Sequence, residues 1–368
     1  MTQETALHGG QLRQIAERFG IAMSELLDFS ANINPDGPPP AVLSSLRASL
    51  DDPAVLNTYP DLDQFELKRA IGRFAGVSPQ MITVGNGFAP LLESALRLLK
   101  GKRCLLPVPS FLEYRRTLER LGVEIIPHTL TQDSGFRYDV EALLTGEHDA
   151  ILLANPQNPS GVLTSQRELL SLVEAAASRR MLILLDEAFI DYAPAHSLAL
   201  DAERLPNLIV FRSVTKFLGV PGLRVGYIVA HQAMTRKLRD DIAPWPITTL
   251  AAHAVAAGLA DEAFAERTRL LNERRSGDLR LRLESLGVQT YLSAANFLLF
   301  RLPVPDQQSS FWHRMIVEHS LVLRDCSNYE ALSPGHIRTA VRNEHENTRL
   351  AKAVSEVSSQ SHSRFATW

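Results

Sequence analysis

Between about residues 43 and 226 the chain repeats one pattern: a short unbroken apolar run, a polar or glycine-rich turn, then a helical stretch. Residues 81–84 run into Gly85-Asn86-Gly87, followed by Leu91, Leu92, Ala95, Leu96 and Leu99 at helical spacing. Residues 151–154 end at Asn155-Pro156, residues 181–185 at Asp186-Glu187, and residues 208–211 before Ser213-Val214-Thr215-Lys216. An apolar run without alternation is a strand covered on both faces. Such strands separated by helices predict an α/β fold, with a mainly parallel sheet sandwiched by helices. In open α/β sheets the ligand crevice lies beyond the carboxyl ends of the strands, so the four polar sets are expected to converge there.

The flanks differ. Leu12, Ile15, Ala16 and Phe19 lie on one helical face. Residues 30–40, with Pro35, Gly37 and three consecutive prolines, can be neither helix nor central strand, and read as an ordered arm or a linker. Beyond Asp261 the pattern predicts a long helix, a strand at 297–301, a helix near 309–318, a strand at 321–324 and another at 337–341. Residues 355–368 are rich in serine, show no apolar period and are expected to fray. The expected organisation is an N-terminal arm and helix over 1–42, a large domain over 43–260, a small α+β domain over 261–354 and a flexible tail over 355–368.

Composition narrows the function classes. The 368 residues are 45% hydrophobic and 21% charged, with a net charge of -3, so no basic excess points to nucleic acid or an anionic membrane. No apolar run approaches the roughly 20 residues of a membrane helix. The first ten residues lack the basic-then-apolar order of a signal peptide. Cys104 and Cys326 have no paired spacing and read as reduced thiols, and no metal-ligand cluster is visible. A soluble cytoplasmic protein is expected.

Lys216 follows an apolar strand amid small residues and glycines. Drawn into a dry cleft, it would have a lowered pKa and expose a neutral amine for imine formation, although an isolated lysine beside such a turn is more often a surface residue. Ser213, Thr215 and Arg224 offer two hydroxyls and a fork-shaped cation to a phosphate. Asp186 closes a buried strand and needs a partner, either a pyridinium nitrogen or a cap or ion pair. In Asn155-Pro156-Gln157-Asn158-Pro159-Ser160-Gly161 the prolines fix two stiff turns, from which Asn158 can present its amide. Gly85-Asn86-Gly87 before a helix suits an anion, or simply a tight turn. Phe111 suits a flat ring or the core. Arg324 and Arg338 interrupt apolar runs, and answer to an anionic substrate or to structural salt bridges.

Taken together and in order, Gly85-Asn86-Gly87, Phe111, the Asn-Pro-x-Asn-Pro-x-Gly stretch, Asp186, Ser-x-Thr-Lys ending at 216, Arg224 and Arg338 resemble the fold type I pyridoxal-phosphate (PLP) enzymes, the aspartate aminotransferase superfamily. The resemblance implies PLP held as a Schiff base on Lys216, with Asp186 on the pyridine nitrogen, Asn158 on the ring oxygen and Phe111 stacked on the ring. Gly85, Asn86, Gly87, Ser213, Thr215 and Arg224 would surround its phosphate. Tyr59 looks like the tyrosine that reaches the partner subunit's cofactor, which implies a homodimer.

Within the superfamily, His8-Gly9-Gly10, residues 28–35, Asp186-Glu187-Ala188-Phe189-Ile190-Asp191 and Arg324-Asp325-Cys326-Ser327-Asn328-Tyr329 resemble the L-threonine-O-3-phosphate decarboxylases of cobalamin biosynthesis. The related histidinol-phosphate aminotransferases usually carry a tyrosine where Phe189 stands. This resemblance implies decarboxylation of phosphothreonine to (R)-1-aminopropan-2-ol O-2-phosphate. His8, Gly9, Asn32, Asn158, Arg324 and Arg338 would hold the substrate. The alternative is a histidinol-phosphate-type aminotransferase.

Overall fold

The computed structural model describes residues 9–363. At its centre is a seven-stranded sheet in the spatial order Ile82–Asn86, Val225–Ala230, Leu208–Arg212, Leu182–Asp186, Ala150–Ala154, Arg103–Val108, Glu124–Thr129. Every neighbouring pair from Leu208–Arg212 to Glu124–Thr129 is parallel. Val225–Ala230 is antiparallel to both neighbours, so Ile82–Asn86 again runs with the parallel block. The expected mainly parallel α/β sheet is what the chain builds.

Why the apolar runs are unbroken is visible in the two cores. Successive strand residues point to opposite faces. Ile151, Leu153, Ile183, Leu185 and Val210 pack with Leu67, Leu172 and Val255 of the helices Phe65–Ala75, Gln166–Ser178 and Thr249–Leu259. Leu152, Leu184, Ile209 and Phe211 pack with Leu92 and Leu118 of the helices Phe88–Arg97 and Leu112–Arg120. Each such side chain contributes about 1.5–3 kcal/mol by leaving water, so neither face tolerates a polar alternate position. The edge strand Glu124–Thr129 did not stand out in the sequence, because its residues are half-buried or exposed and include Pro127, which an edge accepts.

After the helix Glu262–Ser285, a smaller antiparallel sheet forms in the order Arg324–Asp325, His336–Ala340, Phe297–Arg301, Gln289–Thr290. Two expectations change here. The run at 321–324 is not one strand. Leu321–Val322 pairs in parallel with Leu27–Asp28, whereas Arg324–Asp325 pairs with His336–Ala340. Between them the Leu323 carbonyl accepts from Trp312 Nε1 at 2.9 Å, so a side chain replaces the ladder bond where the chain changes sheets. Nor does the chain fray at Ser355, because the last helix spans Glu344–Ser363. Leu350, Ala353, Val354 and Val357 form a buried stripe at helical spacing against Leu298 and Ile337, and that stripe outweighs the serine-rich composition around it.

The N-terminal helix Leu12–Phe19 packs Ile15 against Trp312, Ile316 and Val322. From there the chain crosses back as an ordered strap. Phe29 N–H donates to the Val322 carbonyl and the Phe29 carbonyl accepts from Ala340 N–H, both at 2.8 Å. Five residues on, Asn34 N–H donates to the Lys216 carbonyl at 3.0 Å, and Asn34 Nδ2 donates to the Phe217 carbonyl at 2.8 Å. Asp36 then pairs with Arg275 of the long helix. Among the described residues no helix is long and apolar enough to cross a membrane.

Candidate active site

The carboxyl ends of the parallel strands and the start of the reversed strand meet at one edge of the sheet. There a solvent-open cleft lies between the large sheet, the strap and the small sheet. Gly87 (φ 76°) caps the helix Phe88–Arg97, and a Cβ at this position would collide with Arg224 Nη2. The Arg224 guanidinium therefore lies against a helix N-terminus. Beside them the Ser213 and Thr215 hydroxyls, 3.0 Å apart, also line the cleft. Helix dipole, open N–H groups, cation and hydroxyls together make a cradle for a phosphate.

On the cleft floor Asp186 ends its strand almost fully buried. Its Oδ2 accepts from the Tyr114 hydroxyl at 2.5 Å and its Oδ1 from Ala188 N–H at 2.8 Å. Burial raises its pKa, while Tyr114, Lys216 and the Ala188 amide pull it back towards the anion. Burial likewise drives the Lys216 amine below the usual lysine value; Asp186 opposes this, and Arg224 and Arg338 reinforce it. The Lys216 Nζ lies 5.0 Å from the centroid of the Phe189 ring. An amine-directed reagent applied to cofactor-free protein is therefore expected to label Lys216 with a pH midpoint below 10.5. The neutral form reacts and becomes populated at lower pH. Peptide mapping across a pH series checks this, and an ordinary lysine midpoint would contradict it. Tyr114→Phe should cost about 1.5–3 kcal/mol, since it removes a hydrogen bond to a charged, buried group. Denaturant unfolding reads that loss, and an unchanged midpoint would show that the bond carries no net stability.

Across the cleft, Arg324 and Arg338 are register partners on adjacent antiparallel strands, and both are buried. Arg338 Nη1 donates to Asn158 Oδ1 at 2.7 Å and to the Tyr329 hydroxyl at 3.4 Å, and Nη2 donates to the Ser30 carbonyl at 3.4 Å. Its Nε has no partner among the described residues, nor does the buried Asn32 Oδ1. Arg324 Nη2 donates to Asn328 Oδ1 at 2.8 Å, and Nη1 to the Asp325 carbonyl. The Asp325 carboxylate faces elsewhere, accepting from Gln308 Nε2 at 2.6 Å and from Ser327. Gly9 also lines the cleft, packed so tightly on the Ser30 carbonyl that a Cβ would not fit.

The cleft thus gathers Gly9, Asn32, Gly87, Phe111, Asn158, Asp186, Ser213, Thr215, Lys216, Arg224, Arg324 and Arg338. It does not gather Gly85, which packs beneath Leu91, or Asn86, which is exposed at its strand end. Phe88 and Ala89 of the following helix take their place. Tyr59 stands 82% exposed, stacked on Trp245 at 4.8 Å and away from this cleft. His8 lies outside the described residues. Sequence reasoning missed Tyr114, and gave Tyr329 no role beyond its place in the stretch that carries the resemblance. Tyr114 was signalled only by standing three residues beyond Phe111, on the same face of the helix that starts there.

Residues 24–354 match the family described as aminotransferase class I and II. The chain belongs to that family. It is 34% identical over 355 residues to the threonine-phosphate decarboxylase of Salmonella typhimurium, covering 95% of this chain and 96% of that protein. The solved L-threonine-O-3-phosphate decarboxylase from Porphyromonas gingivalis superposes with a TM-score of 0.79 at 25% identity, covering 89% of this chain and 98% of that one. The histidinol-phosphate aminotransferase from Sinorhizobium meliloti, solved in complex with pyridoxal-5'-phosphate, shares the fold with a TM-score of 0.84 at 22% identity, covering 98% of each chain. The chain is a PLP-dependent enzyme. The cleft fits that cofactor: the Gly87–Arg224 cradle suits a phosphate monoester, Asp186 a protonated ring nitrogen, and Lys216 an aldehyde carbon. Among the described residues no cluster of His, Cys, Asp and Glu could hold a metal ion.

Proposed function

We propose that this enzyme decarboxylates L-threonine O-3-phosphate, giving (R)-1-aminopropan-2-ol O-2-phosphate. The observation that carries this reading is the pair Arg324 and Arg338, buried and directly opposite each other on neighbouring strands. Like charges so placed repel unless an anion comes between them. Every described partner of Arg338 is neutral, and its Nε is left open. The site is charged for a dianion such as a phosphate monoester, which two guanidiniums grip with charge-assisted hydrogen bonds. The likeness to threonine-phosphate decarboxylases points the same way.

When bound, PLP supplies an electron sink for the pair released at the substrate's α-carbon. The chain's residues do the rest. Gly87, Ser213, Thr215 and Arg224 hold the cofactor phosphate. Phe111 packs on the ring and Asn158 meets its oxygen. Asp186, which Tyr114, Lys216 and the Ala188 amide pull towards the anion, holds a proton on the ring nitrogen. Arg324, Arg338, Asn32, Gly9 and His8 hold the substrate phosphate. With both arginines so engaged, neither clamps the α-carboxylate, which is free to leave as carbon dioxide. Lys216, having taken up a proton from the substrate's ammonium group, then delivers it to the α-carbon and is left as the neutral amine. Tyr59, exposed beside Trp245, serves the cofactor phosphate of a second subunit in a homodimer.

The test is turnover of O-phosphothreonine by the holoenzyme with and without 2-oxoglutarate. Carbon dioxide released without the acceptor is expected. Turnover that appears only with 2-oxoglutarate would instead support an aminotransferase.

A further inference from the structure

Tyr329 lines the cleft and has no task in the proposed reaction. It is buried in the turn that joins the two arginine-bearing strands, and its ring and hydroxyl both face the cleft's charges. The Arg324 guanidinium lies over its ring, 5.0 Å from the centroid. Its hydroxyl accepts from Arg338 Nη1 at 3.4 Å. One neutral side chain therefore touches both cations. A carboxylate in its place would neutralise them and forfeit the phosphate, whereas an aliphatic side chain would offer neither a π face to Arg324 nor an acceptor to Arg338. The aromatic face attracts a cation without cancelling its charge, and a phenol oxygen can accept a hydrogen bond.

The turn itself is held from both ends. Tyr329 N–H donates to the Cys326 carbonyl at 3.1 Å. The next residue, Glu330, makes a bidentate bridge to Arg115, with Nε and Nη2 each at 2.7 Å. Arg115 belongs to Leu112–Arg120, the helix that begins just after Phe111 on the opposite wall of the cleft. Tyr329 is thus fixed relative to both walls.

We infer that Tyr329 is a positioning and specificity residue that sets the separation of the Arg324 and Arg338 guanidiniums so that they receive one phosphate group. This rests on the reading that the arginine pair binds the substrate phosphate. Holding two cations ready removes an ordering cost from binding, so the effect belongs in affinity for the phosphate and not in the bond-breaking step.

The experiment compares holoenzyme with Tyr329→Phe and Tyr329→Leu. It measures the dissociation constant of inorganic phosphate, then KM and kcat for O-phosphothreonine. Losing the hydroxyl should weaken phosphate binding about 2- to 5-fold. Losing the ring as well should weaken it roughly 3- to 30-fold, with KM rising in parallel and kcat changing less than about twofold. The visible cofactor band should be unchanged in both variants. Phosphate constants within error of the parent enzyme, or a kcat that falls as far as KM rises, would overturn the inference. If the parent enzyme binds phosphate but releases no carbon dioxide, the decarboxylase reading fails while the phosphate constants still decide the role of Tyr329. A parent holoenzyme that binds no phosphate would overturn the role of Tyr329, while carbon dioxide release still decides the decarboxylase reading.

Discussion

Lys216→Ala is expected to lower the reaction rate at least about 10³-fold, because the same amine anchors the cofactor and moves a proton at the reacting carbon. Two structural facts support so large an effect. The Lys216 amine lies in the cleft, where burial keeps it below the ordinary lysine value against the pull of the Asp186 and Asp191 carboxylates. The backbone around it is held independently of the side chain, by Asn34 bonding the carbonyls of Lys216 and Phe217. The variant should therefore keep its far-UV circular dichroism and lose only the chemistry and the covalent cofactor band. A variant that retained the band through dialysis would show that another group holds the cofactor.

The second large effect is expected at Arg338. Arg338→Met should raise KM for O-phosphothreonine roughly 10²- to 10³-fold, the usual range when one partner of a buried charge pair is truncated. Arg338→Lys should recover only part of this, since an ammonium lacks the bidentate fork. The sign on stability is the opposite. Removing one of two facing cations should leave the substrate-free protein as stable as before or slightly more so, since Arg338 has no carboxylate partner among the described residues. Parallel kinetics with non-phosphorylated threonine complete the test. Equal losses on both substrates would show that Arg338 does not read the phosphate.

Much of the site was legible because the strands are. Each unbroken apolar run ended where its polar set began, so Asp186, Asn158 and the Ser213–Lys216 segment could be placed at one sheet edge without coordinates. What stayed hidden depended on packing across the chain. Tyr114 reads as an ordinary helix residue until its hydroxyl is found on Asp186. Gly85 and Asn86 read as part of an anion turn, but strand pairing with Val225 and Gly226 carries them into the sheet and leaves Gly87 as the cap. The strap's destination was also hidden. Proline and glycine announced an irregular segment, but not that Asn34 would bond Lys216 and Asp36 would pair with Arg275, some 240 residues away in sequence. The last helix was misread for a related reason. Four apolar positions, Leu350 to Val357, decide it, and they are few among serines.

The most direct test of the proposed chemistry follows the substrate's carboxyl carbon. Holoenzyme is given O-phosphothreonine labelled with carbon-13 at the carboxyl group, with no 2-oxo acid present, and the reaction is followed by NMR. The expected result is labelled carbon dioxide and bicarbonate in step with one equivalent of a phosphorylated amine. Label retained in an unchanged amino acid, with turnover only on adding 2-oxoglutarate and label then found in a 2-oxo acid, would contradict decarboxylation and make the enzyme an aminotransferase.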